Sequence, residues 1–518
     1  MKKIVDFILK PFGQNLPLFL ALWLLASSAD AYYWSIHGNP VFGIYMAMHG
    51  FIQVYFIVLI CGLLRGTFFK IVRGLLLGLG VINLIADACV QSIMWFSFTK
   101  DTVAIILGSN MSEASEFLPM YLNTRVLSFI LIILLLVTAI FCLRKQIIRF
   151  NKRWMQWFLF VGLLLSIAVV TIRKSNNWES VFINKIYLFL SYDRPVDLTR
   201  YRSHPIIETI GEQPENIVLI IGESLSKRHC SLYGYSLETT PLMDAMAADS
   251  SLIVFQNVTA AYTNTVGAFK RMMSTYSDQA YEMNPSMEWY QYPFLEDIVS
   301  AAGYDTWWIS NQSSSGIYDN IVATYADLSD NIVWVGPKGV GIGKSNPDGD
   351  VIPYVQSAAS EITPTNKFFI IHLMGSHEGF ETRYPKEYAQ FSKDDYSDRP
   401  DNQRSTLAAY DNSVLYSDYV VSSLMHLFDD KEALVIFFPD HSLDIFDTDP
   451  TYAGHARTGD SESVQAGSEI PFVAYPTPSF KEKFPEIVSR LHNEAEQPFN
   501  TTYLIDEIAG LINIRLAK

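Results

Sequence analysis

The first third of the chain is built from long apolar runs and the remainder from short ones. Five stretches have the length of roughly 20 mostly apolar residues that a helix needs to cross a hydrocarbon core: 16–36, 41–64, 74–96, 126–143 and 154–172. The first is long, has no clear small-residue cleavage site and is followed by four more, so it reads as a span and not as a removed leader. From residue 216 onward, short runs rich in Ile, Val and Phe alternate with longer helical or irregular stretches. These runs are 217–221, 252–255, 306–309, 332–335, 368–373, 434–438 and 471–474. Several are continuously apolar, as strands covered on both faces are. The pattern predicts a five-span α-helical membrane domain over 1–174 and an α/β domain over 216–518, with a largely parallel central sheet and helices on both faces. Residues 175–215 read as a connector. Within it, 181–191 fits either an amphipathic helix on a membrane surface or an ordinary core helix.

Charge follows the same division. Residues 1–174 hold 15 Lys and Arg against 6 Asp and Glu, whereas 175–518 hold 23 against 47, within a 518-residue chain of net charge −15. That balance excludes a basic nucleic-acid binder, and 14% aromatic residues exclude a disordered chain. Lys2, Lys3, Lys10, Arg65, Lys70, Arg73, Arg144, Lys145, Arg149, Lys152 and Arg153 precede the first span or lie in the loops on its side, against Lys100 and Arg125 in the alternate loops. The bias puts the N-terminus in the cytoplasm and, after five spans, the acidic domain outside it. Asp30, His49 and Asp87 fall inside spans, where such groups either serve function or pair between helices. Cys61, Cys89 and Cys142 lie in predicted spans, which leaves Cys230 as the sole thiol of the soluble part and no internal disulfide there.

The residues that follow the strands carry the candidate chemistry. Run 217–221 leads into Gly222-Glu223-Ser224, run 368–373 into Met374-Gly375-Ser376-His377, and run 434–438 into Pro439-Asp440-His441. Ligands of open α/β sheets bind beyond the carboxyl ends of the strands. Glu, Asp and His delivered there together predict a site for zinc or a similar divalent ion. After run 252–255 comes Tyr262-Thr263-Asn264-Thr265-Val266-Gly267, then a predicted helix. Thr263 or Thr265 either caps that helix or supplies a hydroxyl nucleophile beside the metal.

The ordered set of five spans, Ile221-Gly222-Glu223-Ser224, Thr263-Asn264-Thr265, His372-Leu373-Met374-Gly375-Ser376-His377, the segment from Tyr410 through Tyr416 and Asp418, and Pro439-Asp440-His441 resembles the bacterial phosphoethanolamine transferases. These are inner-membrane enzymes whose periplasmic domain has the alkaline-phosphatase/sulfatase fold. The resemblance implies that Glu223, Asp440 and His441 are zinc ligands and that Thr265 becomes phosphoethanolaminated. It implies that His377 and His455 hold a second metal or contact the phosphoryl group, and that Asn311 and Gln312 contact substrate. It also implies phosphatidylethanolamine as donor and lipopolysaccharide core, periplasmic glucan or lipid A as acceptor, at the inner membrane with no role for nucleic acid. The loop 98–123, with Asn110, Glu113 and Glu116, is a candidate contact for the donor's ammonium group or a plain solvated loop.

Two departures from the family pattern bear on the acceptor. Ala261 and Arg271 stand where many relatives place a disulfide, and Ser313-Ser314-Ser315-Gly316 stands where lipid A-modifying relatives carry a Lys. With the acidic soluble part, they favour a sugar acceptor over a lipid A phosphate. Alternatives are a glycerophosphotransferase of the lipoteichoic-acid-synthase type and a non-catalytic sensor with a sulfatase-like domain.

Overall fold

The computed structural model describes residues 2–36, 39–94, 103, 123–172, 185, 190, 196–312, 321–336, 346–457 and 460–516. Two units emerge, the first ending at Tyr192 and the second running over Asp193–Lys518. In the first, five helices among the described residues are long and apolar enough to span a membrane: α1 (Leu16–Ile36), α2 (Pro40–Cys61), α3 (Gly66–Met94), α4 (Thr124–Cys142) and α5 (Arg153–Ile172). Helices α1 and α2 approach closely at Gly50, where a Cβ would sit 2.0 Å from Ser27 Oγ. Small residues permit such contacts where helices meet in lipid.

Both acidic groups inside the spans, Asp30 and Asp87, are paired. The Gln91 side chain donates to Asp30 Oδ1 at 2.5 Å, and Asn83 donates to Asp87 Oδ2 at 2.9 Å. Lys185 forms a buried ion pair with Asp87. His49 packs edge-on against Tyr45, with ring centroids 4.7 Å apart. Apart from Lys185 and Leu190, the segment 181–191 lies outside the described residues, as do Asn110, Glu113 and Glu116.

The second unit is organised on a seven-stranded sheet. Its strands are β1 (Asn216–Gly222), β2 (Ile253–Phe255), β3 (Asp305–Ser310), β4 (Asn331–Trp334), β5 (Lys367–His372), β6 (Ala433–Pro439) and β7 (Phe472–Pro476). Their spatial order is β2-β7-β6-β1-β5-β3-β4. Each of the seven apolar runs became one of these strands. The sheet is mixed, because β7 runs antiparallel to both β2 and β6, while β6, β1, β5, β3 and β4 are mutually parallel. Alternate residues of β1 enter opposite cores. Ile217, Leu219 and Ile221 pack into one hydrophobic cluster and Val218 and Ile220 into the other, which is why the strand is apolar at every position.

Register aligns the strand ends. Gly222 pairs with Pro439, Ile221 with His372, and Ser310 with His372. The chain therefore leaves β6, β1, β5 and β3 at one level on one edge of the sheet. Residues 207–209, within the predicted connector, form a strand paired antiparallel with Ile514–Leu516.

Candidate metal centre and nucleophile

Four neighbouring strands deliver the site in spatial order: Asp440 and His441 after β6, Glu223 after β1, the turn 373–377 after β5, and Asn311 and Gln312 after β3. Backbone hydrogen bonds tie these exits together. Asp440 N donates to Gly222 O at 3.0 Å, Leu373 N to Ile221 O at 2.9 Å, and Ser376 N to Glu223 O at 2.9 Å. Ser224 has φ +59°, a conformation unfavourable for a side-chain-bearing residue. It is held by Tyr410 on helix α7 (Asp401–His426). The buried phenol donates to Ser224 O at 2.9 Å and accepts from Ser226 N at 2.8 Å. Losing it would leave two buried backbone groups unpaired, at about 1–3 kcal/mol each.

Glu223, Asp440 and His441 are buried and each presents one donor atom, all within 4.8 Å of one another. His441 Nε2 lies 3.0 Å from Glu223 Oε1 and 3.8 Å from Asp440 Oδ2. His441 Nδ1 is 2.9 Å from Ser442 O, so Nδ1–H donates to the backbone carbonyl and Nε2 is the nitrogen left to face a cation. Asp440 Oδ2 is buried without a hydrogen-bond partner. Two carboxylates and an imidazole, one of them with an orphaned buried oxygen, fit a divalent cation of the zinc type with one corner left open.

The electrostatics of the three groups agree. Burial and then the charge of Glu223 push Asp440 up to about 8. Burial opposes the charged form of His441, but the charge of Asp440 and the hydrogen bond of Glu223 raise it to about 9. Burial likewise opposes ionisation of Glu223, yet the hydrogen bond and charge of His441 prevail and hold it below the usual carboxylate range. Without a cation, the cluster retains protons to balance its own charge.

Thr265 Oγ1 stands at the open corner, 3.2 Å from Glu223 Oε2, 3.3 Å from Glu223 Oε1 and 3.5 Å from His441 Nε2. Thr265 opens helix α6 (Thr265–Met272). The cap is neither threonine: Asn264, with φ −156° and ψ 157°, accepts from Gly267 N at 2.9 Å. Asn264 has the extended backbone that aims its side chain back at the helix, and the Thr265 hydroxyl faces the cluster. At the far end of α6, Arg271 stacks on the Tyr262 ring at 4.7 Å and pairs with Asp278 at 2.6 Å.

The other expected residues divide. Gln312 Nε2 is 3.4 Å from Glu223 Oε2, beside the cluster. Asn311 is turned into the protein, its amide donating to Asn346 O at 2.9 Å and Asp348 Oδ1 at 2.7 Å; it belongs to the scaffold under the site. His455 lies with its ring centroid 4.9 Å from that of His441. Burial lowers His377 to about 4, with the charge of Glu223 opposing.

Two residues were missed in the sequence. Buried Asp348 accepts from Met374 N at 2.8 Å and Gly375 N at 2.7 Å, and so fixes the turn after β5. Gly375, at φ +54°, is the point of closest approach: a Cβ there would lie 2.6 Å from Glu223 O and 2.7 Å from Glu223 N. An acid in a loop and a glycine after a strand carry no signal of such partners.

Comparison with known proteins agrees with this architecture. A sulfatase family model matches residues 215–514. The phosphoethanolamine transferase EptC of Escherichia coli strain RS218 is 27% identical over 464 residues, covering 82% of this chain and 78% of its own. The phosphoethanolamine transferase CptA of Salmonella typhimurium is 27% identical over 462 residues, covering 80% and 75%. The crystal structure of the C-terminal periplasmic domain of the E. coli EptC protein in complex with zinc superposes with a TM-score of 0.54 at 26% identity, covering 60% of this chain and 86% of that one. The integral membrane lipooligosaccharide phosphoethanolamine transferase A of Neisseria meningitidis shares the fold over 97% of this chain and 96% of its own, with a TM-score of 0.68 at 18% identity. The protein is a multi-pass membrane transferase that belongs to the sulfatase family through residues 215–514, and within that family its similarity runs to the phosphoethanolamine transferases.

Proposed function

We propose that the protein moves phosphoethanolamine from phosphatidylethanolamine to a cell-envelope glycan or lipopolysaccharide acceptor, with Thr265 carrying the group between them. The observation that supports this most directly is the position of Thr265 Oγ1, 3.2 Å from Glu223 and 3.5 Å from His441 at the start of α6. Glu223, Asp440 and His441 would hold one zinc ion. Bound there, a divalent cation supplies positive charge that favours the deprotonated hydroxyl and offsets charge on the phosphoryl oxygens.

Thr265 Oγ1 attacks the donor phosphorus as its bond to the glycerol oxygen breaks, and diacylglycerol leaves with a proton. The backbone N–H groups of Thr265 and Val266 have no partner inside the helix and orient the phosphoryl oxygens. His377 and His455 contact the same oxygens. Among the described residues they join no three-residue metal-binding group, which favours this role over a second ion. An acceptor oxygen then attacks the same phosphorus, the bond to Thr265 Oγ1 breaks, and the hydroxyl regains its proton. Gln312 steadies the Glu223 carboxylate throughout.

In this reading 1–174 is the membrane domain, 175–215 the connector and 216–518 the catalytic domain. The Lys and Arg bias of the spans supports placing the catalytic domain in the periplasm, anchored to the inner membrane. A bilayer lipid as donor gives the anchor its purpose. The acidic soluble part favours a sugar hydroxyl as acceptor over a lipid A phosphate. An intact Glu223, Thr265, Asp440 and His441 set argues against a sensor without activity.

The test is intact-mass and peptide mass spectrometry of the full-length protein incubated with phosphatidylethanolamine. A phosphoethanolamine adduct on Thr265, absent in Thr265→Ala, is expected. An adduct on Thr263 or Ser224 instead would overturn the assignment. Mass spectrometry of lipopolysaccharide and envelope glycans, with and without the gene, identifies the acceptor.

A further inference from the structure

One carboxylate at the site has no part in the chemistry above. Glu378 follows His377 directly and is only 6% exposed. Its Oε2 is buried and has no hydrogen-bond partner. Its Oε1 lies 3.7 Å from His455 Nδ1, beyond ordinary hydrogen-bond length. Arg383, the nearest cation in sequence, donates from Nε to His377 O and from a terminal nitrogen to Glu378 O, so these donors serve the backbone and not the carboxylate. Gly454, at φ +153°, lets the chain pass close by, since a Cβ there would sit 3.5 Å from Glu378 Oε1. The line from Thr265 to His441, His455 and Glu378 is thus continuous, with the two imidazole centroids 4.9 Å apart.

A buried carboxylate oxygen without a donor is strongly disfavoured unless a ligand supplies one. A metal is the weaker candidate, because the one group of three metal-competent residues among those described does not include Glu378. An ammonium group fits better, as it brings both charge and N–H donors. Phosphoethanolamine carries its ammonium two carbons beyond the ester oxygen, on the phosphorus substituent that is neither leaving group nor nucleophile. We infer that Glu378 recognises the ammonium of the transferred ethanolamine and selects donors that bear it; this rests on the reading of Thr265 as the phosphoethanolamine carrier.

The test uses the full-length protein in detergent, with phosphatidylethanolamine and phosphatidylethanol as paired donors. The second probe differs by lacking the amino group. Adduct formation on Thr265 is followed by mass spectrometry and zinc by elemental analysis. The wild-type protein is expected to react at least about tenfold faster with phosphatidylethanolamine, as a polar pocket does when its partner group is present. Glu378→Gln is expected to lose that preference while keeping wild-type zinc and its rate with phosphatidylethanol. A wild-type protein indifferent to the amino group would overturn the inference whatever the variant does. An unchanged preference in Glu378→Gln, or loss of its zinc, would do the same and leave the Thr265 reading standing. No Thr265 adduct from either donor would remove both.

Discussion

Gly375→Ala probes the close approach on which the metal cluster depends. The glycine has φ +54°, and an added Cβ would meet Glu223 O at 2.6 Å, N at 2.7 Å and Cα at 3.2 Å. All three are backbone atoms, so no side-chain rotation relieves the contact. A left-handed alanine costs about 1–2 kcal/mol, and overpacking a filled interior about 1–3 kcal/mol more. The turn cannot easily retreat, because Asp348 grips the N–H groups of Met374 and Gly375. The displacement therefore falls on Glu223, whose carboxylate is a proposed zinc ligand, and zinc affinity is expected to drop about 10–100-fold, the usual cost of disturbing a ligand's support. Chelator competition on the full-length protein in detergent measures it. Gly234→Ala is the control: it has φ +93° but nothing within 4 Å of the added atom, so it bears the conformational cost alone and keeps wild-type zinc. Equal zinc affinity in Gly375→Ala and wild type would refute the argument that this glycine sets the position of Glu223.

Glu223→Ala and Asp440→Ala are each expected to leave the purified protein depleted of zinc, because each removes a donor atom and a negative charge; wild-type zinc in both would mean the cluster is misassigned. His229 should stabilise the fold in a pH-dependent way. Burial opposes its charge, but Asp411, 2.7 Å from Nδ1, raises its pKa overall. The contribution is complete below the unfolded value of about 6.5 and is lost as pH rises through the higher folded value. Thermal unfolding of wild type and His229→Gln should therefore differ most at low pH and converge as pH rises; a difference that grows with pH would contradict this.

The strands and the candidate metal cluster were legible because both are local. A run such as Ile217–Ile221 is apolar at every position, and only a strand covered on both faces keeps such a run soluble. A charged residue placed directly after it, Glu223 or Asp440, has the sheet edge as its natural place. The reversal of β7 was not legible, since apolar periodicity has no direction. In Thr263-Asn264-Thr265 all three side chains can cap a helix, and only the tertiary structure gives the cap to Asn264, whose side chain accepts from Gly267 N. The partners of Asp348 and Gly375 were equally hidden. Composition and spacing name the residues that can ligate, attack or turn, but contacts between β1 and the turn after β5 join positions about 150 residues apart in the chain. Which of them touch is fixed by strand order and register, and those are settled only when both faces of the sheet are packed.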